Sequence, residues 1–188
     1  MINNNVIPIW KDTGITSYDV IRKVKKEIGN IKIGHCGTLD PFAEGVLILC
    51  LGHKTKEIGK FTDYDKEYVT TIFLGEETDT LDTTGNIINK KSIPILNSTI
   101  IEKVIQSFNG EILQIPPYFS ALKFKGMKLY QYARKDIFIR KKARTVTIND
   151  IKLLDFKDNM LKIYIKCKKG TYLRSLARDP PHTSALML

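Results

Sequence analysis

An aspartate set among glycines and a proline is the feature of this sequence best suited to chemistry. Asp40 stands in segment 34–45, which reads Gly-His-Cys-Gly-Thr-Leu-Asp-Pro-Phe-Ala-Glu-Gly. The three glycines allow unusual backbone angles, and Pro41 biases Asp40 toward an extended conformation. A carboxylate, ionised at neutral pH, is thereby held on a constrained loop, where it suits nucleophilic or charge-stabilising chemistry. The alternative is structural, because Asp-Pro often starts a turn or a helix.

Two other polar segments have binding-type residues but unsuitable spacing. The run Gly52-His-Lys-Thr55 resembles the end of a phosphate-binding loop, but His53 interrupts it and no glycine stands at the required upstream position. Asp79 and Asp82 lie in a threonine-rich loop whose spacing supports no metal site. We interpret both segments as structural.

Helices and strands are predicted on both sides of the Asp40 segment. Residues 17–29 have helical apolar spacing, with Thr16 or Ser17 as the N-cap and Gly29 as the end. Residues 45–51 form a short apolar run typical of a buried strand, directly after the Asp40 loop. The reactive carboxylate is thus expected between a helix and a strand.

The rest of the chain is richer in strands than in helices. Strands are predicted over 66–74, 146–156 and 160–167, the last two joined by a hairpin turn at 157–159. A second helix starts at Asn97 or Ser98 and stops before Gly110. Residues 114–144 form a basic, aromatic-rich excursion that is partly helical around 129–134. These patterns favour the α+β class.

Composition indicates a cytosolic protein with an excess of positive charge. The formal net charge is +10 over 188 residues, which suits a polyanionic partner or simply reflects a lysine-rich genome. No apolar run reaches the roughly 18–20 residues of a membrane span, and the N-terminus lacks the pattern of a signal peptide. The three cysteines form no CxxC pair, so neither a disulfide framework nor a zinc site is predicted.

Five ordered blocks in this chain resemble the bacterial TruB family, the tRNA pseudouridine-55 synthases. The central block is Gly34-His-x-Gly-x-Leu-Asp40-Pro-x-Ala-x-Gly-Val-Leu47. The other blocks are Lys11 with Gly14, Thr16 and Ser17; Lys66-x-Tyr68 with Leu74-Gly75 and Thr78-Asp-Thr-x-Asp82-x-x-Gly85; Gln114-x-Pro-Pro-x-x-Ser120-Ala-x-Lys123-x-x-Gly126-x-x-Leu-Tyr130-x-x-Ala133-Arg134; and Lys169-Gly-Thr-Tyr-x-Arg174-Ser. The resemblance covers residues 8–179.

The resemblance implies a reaction and a set of catalytic residues. A uridine at position 55 in the T-arm of tRNA would be flipped out and isomerised to pseudouridine, with no metal and no cofactor. Asp40 would be the catalytic aspartate, attacking the base or the sugar or stabilising its charge. Tyr68 would stack on the base or act in proton transfer, and Arg174 would pair with the aspartate.

The resemblance also implies the RNA-binding residues. His35 would fill the gap left by the flipped base or stack beside it, and Lys11 would support the active-site loop or meet phosphate. The basic excursion 114–144 would grip the T-arm through Lys123, Lys128, Arg134 and Arg144. The implied fold is a mixed, mainly antiparallel sheet flanked by helices, and a monomer without membrane attachment is expected.

The opening and the end of the chain depart from the family pattern. Asp12 replaces the usual proline after Lys11. Residues 1–179 are predicted to be a catalytic domain that is incomplete at its C-terminal end, followed by an anomalous tail, 180–188, in which Pro180-Pro181 would break a helix. A frameshift or truncation is expected, with the C-terminal RNA-binding domain absent.

Two hypotheses of different classes follow. The first is a tRNA pseudouridine synthase, favoured by the joint presence of Asp40, Tyr68 and Arg174. The second is a non-catalytic tRNA-binding or RNA-folding protein on the same scaffold, favoured by the abnormal tail. A DNA-binding protein has no helix-turn-helix or zinc-finger pattern to support it.

Overall fold

The computed structural model describes residues 4–179, and the chain divides into two compact units, Met1–Tyr64 and Asp65–Leu188. The tail 180–188, with its predicted helix break, lies outside the described residues. Across residues 4–179, no helix combines the length and the apolar character that crossing a bilayer requires.

The first unit is built on a three-stranded antiparallel sheet. Its elements in chain order are β1 (Val6–Lys11), α1 (Ser17–Ile28), β2 (Ile33–His35), β3 (Gly45–Leu51), a 3₁₀ helix (Gly52–Glu57) and α2 (Ile58–Thr62). The spatial order of the strands is β1-β3-β2, so β3 is central. The Asp40 loop connects the edge strand β2 to this central strand.

Helix α1 is confirmed at the predicted position and is capped at both ends. The Thr16 hydroxyl accepts a hydrogen bond from the Asp19 amide at 3.1 Å, and the Asp19 carboxylate accepts one from the Thr16 amide at 2.8 Å. Gly29, with φ of 89°, ends the helix in a conformation that favours glycine. Val20 and Ile21 are buried against β3, each contributing about 1.5–3 kcal/mol by leaving water.

The apolar run after the Asp40 loop is a strand, as predicted, and one of its faces is only partly covered. Leu47, Leu49 and Leu51 are almost completely buried in the core shared with α1. Val46 is exposed and pairs in register with Trp10 of β1, which is also exposed. Neighbouring residues of a strand point to opposite faces, which explains this difference along a uniformly apolar run.

The second unit contains a four-stranded antiparallel sheet. The strands lie in the order β4 (Lys66–Phe73), β11 (Met160–Cys167), β10 (Arg144–Lys157) and β7 (Gly110–Gln114). The unit also contains two small hairpins and three helices. The hairpins pair β5 (Glu76–Thr78) with β6 (Ile87–Lys90), and β8 (Lys123–Phe124) with β9 (Met127–Lys128). The helices are α3 (Ser98–Gln106), α4 (Leu129–Ala133) and α5 (Leu173–Arg178).

The hairpin of β10 and β11 confirms the turn predicted at residues 157–159. Asp158 and Asn159 have φ values of 50° and 62°, the left-handed pair that a two-residue hairpin turn requires. β10 is the longest strand of the unit, and its pairing with β11 shifts register between Ile148 and Asp150 and again between Leu153 and Asp155. Such irregularities bend a strand and increase its twist.

One face of the main sheet forms the core of the second unit. Isoleucines of β10 and β11 pack with Ile101 and Ile105 of α3 and Leu176 of α5. Helix α3 begins at the predicted Asn97 cap but ends at Gln106, and Gly110, with φ of 94°, starts β7. The predicted α+β class, with mainly antiparallel sheet and flanking helices, is confirmed.

Candidate functional site

The loop that carries Asp40 is tied to the N-terminus of α1. The Ser17 hydroxyl accepts a hydrogen bond from the Leu39 amide at 3.0 Å and donates one to the Leu39 carbonyl at 3.1 Å. Ser17 is buried, so both polar groups of Leu39 are satisfied by a side chain that water does not reach. The loop also closes on itself, because the Ala43 amide donates to the Asp40 carbonyl at 3.1 Å.

Lys11 holds the same loop from the end of β1. Its ammonium donates to the carbonyls of Asp12 and Ile15, each at 2.9 Å, and to that of Pro41 at 3.4 Å. The Gly14 amide donates to the same Pro41 carbonyl at 2.8 Å. Lys11 is 0% exposed, and its part in the site, as support of the loop or as a contact to phosphate, stays a prediction.

The electrostatics of Lys11 also involve Asp40. Burial lowers the pKa of the Lys11 ammonium from its usual 10.5, while the charges of Asp12, Asp40 and Glu44 raise it in part. Lys11 therefore brings a positive charge close to the Asp40 loop, and the two charged groups attract each other.

His35 ends β2, and its ring contacts the loop that follows. Its Nδ1 lies against the Gly37 carbonyl, and the ring is half-buried. Gly37 has φ of 98°, a conformation that favours glycine. The contact fixes the ring beside the loop, and its RNA-side role stays a prediction.

Arg174 lies on α5 in the second unit, where two backbone carbonyls bind its guanidinium. Its Nη1 donates to the Thr80 carbonyl at 2.9 Å and its Nη2 to the Phe119 carbonyl at 2.8 Å. Nη1 also lies 3.4 Å from Oδ2 of Asp82. The guanidinium is thus held in one orientation by bonds from two segments of the chain.

The threonine-rich loop that holds Arg174 is itself highly ordered by hydrogen bonds. Thr78 donates its hydroxyl to the Asp82 carbonyl at 2.7 Å and accepts the Asp82 amide at 3.0 Å. Oδ1 of Asp82 accepts the Thr80 hydroxyl at 2.8 Å and the Thr84 amide at 3.0 Å. A Cβ at Gly85 would lie 2.9 Å from the Thr80 amide nitrogen, so only glycine fits this close approach.

The sequence predicts a structural loop around Asp82 and does not indicate that Asp82 pairs with Arg174. The two residues are 92 positions apart, and no local pattern indicates such a pairing. The Thr78-Asp-Thr-x-Asp82-x-x-Gly85 block is the one pattern in the sequence that marks this loop. Its threonine and aspartate side chains all form hydrogen bonds within the loop.

Tyr68 lies in β4, the edge strand of the main sheet. It pairs in register with Ile165 of β11 and packs, partly buried, against the core of the second unit. β4 alternates half-buried and exposed residues, and Tyr68 belongs to the half-buried set. The structure describes Asp40, Lys11 and His35 in the first unit and Tyr68 and Arg174 in the second.

Residues 114–144 present a surface that mixes cations with aromatic rings, here called the insertion surface. Lys128 and Arg134 lie 5.6 Å and 5.3 Å from the centroid of the Tyr130 ring. Lys141 lies 4.8 Å from that of Phe124. Most of its cations are exposed: Lys123, Lys125, Lys128, Arg134, Lys135, Arg140 and Lys142. Cations of this density and exposure suit contacts with phosphates.

Arg144 differs from the other predicted RNA-binding residues because its contacts are intramolecular. Its guanidinium lies 5.2 Å from the centroid of the Tyr172 ring, and Nη2 donates to the Gly170 carbonyl. These contacts brace the segment before α5. An RNA contact by Arg144 stays a prediction.

The side chains that commonly bind metals are dispersed over the described part of the chain. Across the described residues 4–179, no three His, Cys, Asp or Glu side chains are grouped so that they could hold a metal ion.

Comparison with known proteins identifies the family. The sequence model described as TruB family pseudouridylate synthase (N terminal domain) matches residues 23–173. The chain belongs to the TruB family. The matched range contains Asp40 and Tyr68 and ends one residue before Arg174.

Curated TruB relatives match almost the whole chain. The tRNA pseudouridine synthase B of Francisella philomiragia is 48% identical over 94% of this chain and 59% of its own length. That of Hydrogenovibrio crunogenus is 41% identical over 94% of this chain and 58% of its own. That of Endomicrobium trichonymphae is 43% identical over 90% of this chain and 74% of its own. The chain thus spans somewhat under 60% of the length of the first two.

Solved structures confirm the fold of this TruB chain. A chain of a Cbf5-Nop10-Gar1 complex superimposes with a TM-score of 0.67 at 29% identity, covering 94% of this chain and 43% of the other. A chain of an H/ACA RNP bound to a substrate RNA containing 2'-deoxyuridine superimposes with a TM-score of 0.63 at 27% identity, covering 92% and 40%.

Proposed function

We propose that this TruB-family chain isomerises a uridine of tRNA to pseudouridine, at position 55 of the T-arm, with Asp40 as the catalytic carboxylate. The observation that carries the proposal is the loop of Asp40, which Ser17 and Lys11 hold by hydrogen bonds to its backbone on both sides of the aspartate. Three relatives of 41–48% identity bear the name tRNA pseudouridine synthase B.

The reaction is an exchange of bonds within one nucleotide. The bond between uracil N1 and ribose C1' breaks, the base turns, and a bond forms between C5 and C1'. The hydrogen on C5 leaves as a proton and N1 gains one, so atoms and electrons balance without a cofactor. Asp40 supplies a carboxylate for the attack on base or sugar or for the stabilisation of charge.

The residues of the second unit take the remaining roles in the proposal. The Arg174 guanidinium, oriented by Thr80, Phe119 and Asp82, is rigid enough to position a carboxylate or a phosphate. The Tyr68 ring supplies a surface for stacking on the flipped base. Stacking offsets part of the few kcal/mol that flipping a base costs.

The insertion surface accounts for the binding of tRNA. Its exposed lysines and arginines displace condensed counterions from phosphates, and Tyr130 and Phe124 lie among them. An arm of tRNA carries one negative charge on each backbone phosphate, which complements such a surface. We propose that Lys123, Lys128 and Arg134 contact the T-arm backbone.

The decisive experiment compares this chain with its Asp40→Asn variant on an unmodified tRNA transcript. The wild type should form one pseudouridine at position 55, and Asp40→Asn should form none while binding the transcript with similar affinity. Glu27→Gln, which neutralises an exposed acid of the same unit, is the matched control and should keep full activity. A transcript with cytidine at position 55 should receive no pseudouridine.

Other outcomes would contradict the proposal in different ways. Pseudouridine from the Asp40→Asn variant would remove Asp40 from the chemistry. Absence of product from a folded wild type that still binds tRNA would mean that this chain is an RNA-binding protein on a synthase scaffold. Product at another uridine would contradict the assignment to position 55.

A further inference from the structure

A buried glutamine at the end of β7 contacts the start of the helix that carries Arg174. The Oε1 atom of Gln114 accepts a hydrogen bond from the Tyr172 amide at 2.8 Å, and its Nε2 donates to the Tyr172 carbonyl at 3.0 Å. Gln114 is 2% exposed, so water does not compete for these bonds. The side-chain amide thus pairs with Tyr172 as a neighbouring strand would.

Tyr172 is the N-cap residue of α5, and its side chain does not cap the helix. Its carbonyl also accepts the Leu176 amide at 3.1 Å, a hydrogen bond that starts the helix. The Tyr172 carbonyl therefore accepts two hydrogen bonds, one from Gln114 and one from the first turn of α5. The turn that contains Arg174 begins at this point.

α5 has only six residues and depends on contacts outside itself. Isolated helices shorter than about 12–15 residues are marginal in water. Besides Gln114, the Ser175 hydroxyl donates to the Ile115 carbonyl at 2.8 Å, and Arg178 Nη2 donates to the same carbonyl at 3.0 Å. Residues 114 and 115 therefore hold α5 at its beginning, middle and end.

We propose that Gln114 is a positioning residue for Arg174, setting the rotation and height of the first turn of α5. A helix rises about 1.5 Å and turns about 100° per residue, so a small slip at Tyr172 displaces the side chain two residues later. The Arg174 guanidinium is bound by the carbonyls of Thr80 and Phe119 and cannot follow such a slip without losing bonds. The catalytic part of this inference rests on the proposed function.

The first test removes both hydrogen bonds while keeping the side-chain volume, with Gln114→Met. The expected result is a fall in kcat of roughly 10- to 100-fold, the scale of a misplacement of about 1 Å, with KM for tRNA close to the wild-type value. The control is Gln106→Met, because the Gln106 amide also donates to a backbone carbonyl of the same unit, but to that of Ile151 in β10, at 2.9 Å. Equal kcat in both variants would overturn the proposal.

The second test uses the pH dependence of Gln114→Glu. A glutamate carboxylate still accepts the Tyr172 amide but faces the Tyr172 carbonyl without a proton to donate. A protonated glutamic acid restores the donor, and burial raises the pKa of a carboxyl group. The Arg144 guanidinium lowers this pKa in turn, because Arg144 pairs in register with Gln114, so activity relative to wild type should recover as pH falls from about 8 to about 5. A ratio that does not change with pH would overturn the proposed role of the amide.

A third measurement separates this inference from the proposed function. Hydrogen exchange of the amides of residues 172–178 should be at least about tenfold faster in Gln114→Met than in wild type, and unchanged in Gln106→Met. If the wild type forms no pseudouridine, the proposed function fails, and the exchange result still decides whether Gln114 holds α5. Unchanged exchange in Gln114→Met would overturn the inference.

Discussion

The guanidinium of Arg174 and the carboxylate of Asp82 form an ion pair at 3.4 Å, with side chains only 8% and 9% exposed. Both charges are largely removed from water, so each depends on the other and on the surrounding carbonyls and hydroxyls. The surface pair of Lys152 and Asp150, at 2.7 Å, is a contrast, because those side chains are 62% and 36% exposed.

Neutralising Asp82 should destabilise the second unit and disturb Arg174. For Asp82→Asn we expect a loss of about 1–3 kcal/mol in the free energy of unfolding, because the buried carboxylate gives up its ion pair with Arg174 and its charge-assisted hydrogen bonds from Thr80 and Thr84. Asp150→Asn is the control, with an expected loss below about 1 kcal/mol. Urea unfolding at pH 7 measures both, and similar losses would show that the buried pair is not specially stabilising.

Removing the Ser17 hydroxyl should loosen the Asp40 loop. Ser17→Ala leaves the amide and carbonyl of Leu39 without this partner, which costs about 1–3 kcal/mol of stability in a buried site. Pseudouridine formation should fall as well, because the loop positions Asp40. Ser107→Ala removes an exposed hydroxyl bonded to Val104 and should change stability by less than about 0.5 kcal/mol. Full activity in Ser17→Ala would contradict the anchoring role.

The insertion surface should bind tRNA with a strong dependence on salt. Replacing Lys128 and Arg134 together by alanine should weaken binding and reduce the slope of log affinity against log salt by about 0.7–0.9 for each phosphate that the variant no longer neutralises. Lys157 and Lys162, exposed cations on the β10–β11 hairpin, form the control pair. Filter binding of a tRNA transcript across a salt series measures the slope for both variants. Equal slopes for the two variants would mean that tRNA does not bind at the insertion surface.

The buried Cys167 should make stability fall at alkaline pH. Burial raises the pKa of its thiol above the usual 9.0, so the unfolded chain loses this proton before the folded chain does. Stability from this group is complete below about pH 9 and declines above it, by at most about 1.4 kcal/mol per pH unit. Comparing urea unfolding of wild type and Cys167→Ala at pH 8 and pH 10 isolates the effect. An equal decline in both would contradict it.

Local patterns predicted the elements of this protein better than its long-range contacts. Thr16 and Gly29 bound α1, and the turn at Asp158 and Asn159 forms the hairpin, because caps and turns are determined by neighbouring residues. The Asp40 loop was likewise visible as a cluster of glycines and a proline. Its anchoring by Ser17 was not, since the hydroxyl lies 22 positions from Leu39.

The hydrogen-bond partners of Arg174 lie even farther away along the sequence and could not be predicted from it. Its carbonyl partners are 55 and 94 positions away, and backbone carbonyls carry no side-chain pattern that a sequence could display. Gln114 contacts Tyr172 across 58 positions and was visible only as one letter of a motif. The roles of Asp40, Tyr68 and Arg174 in catalysis stay predictions that the proposed experiments test.

The pairing of β4 with β11 has a consequence for synthesis on the ribosome. Phe73 of β4 pairs with Met160 of β11, which is synthesised 87 residues later. Until then β4 has no β11 to pair with. At roughly 5–20 residues per second, this interval lasts about 4–17 seconds. During it, Val69 and Phe73, which stay exposed even in the folded sheet, lie on an unpaired strand. A nascent chain paused within that interval presents an unpaired, partly apolar strand, which favours self-association.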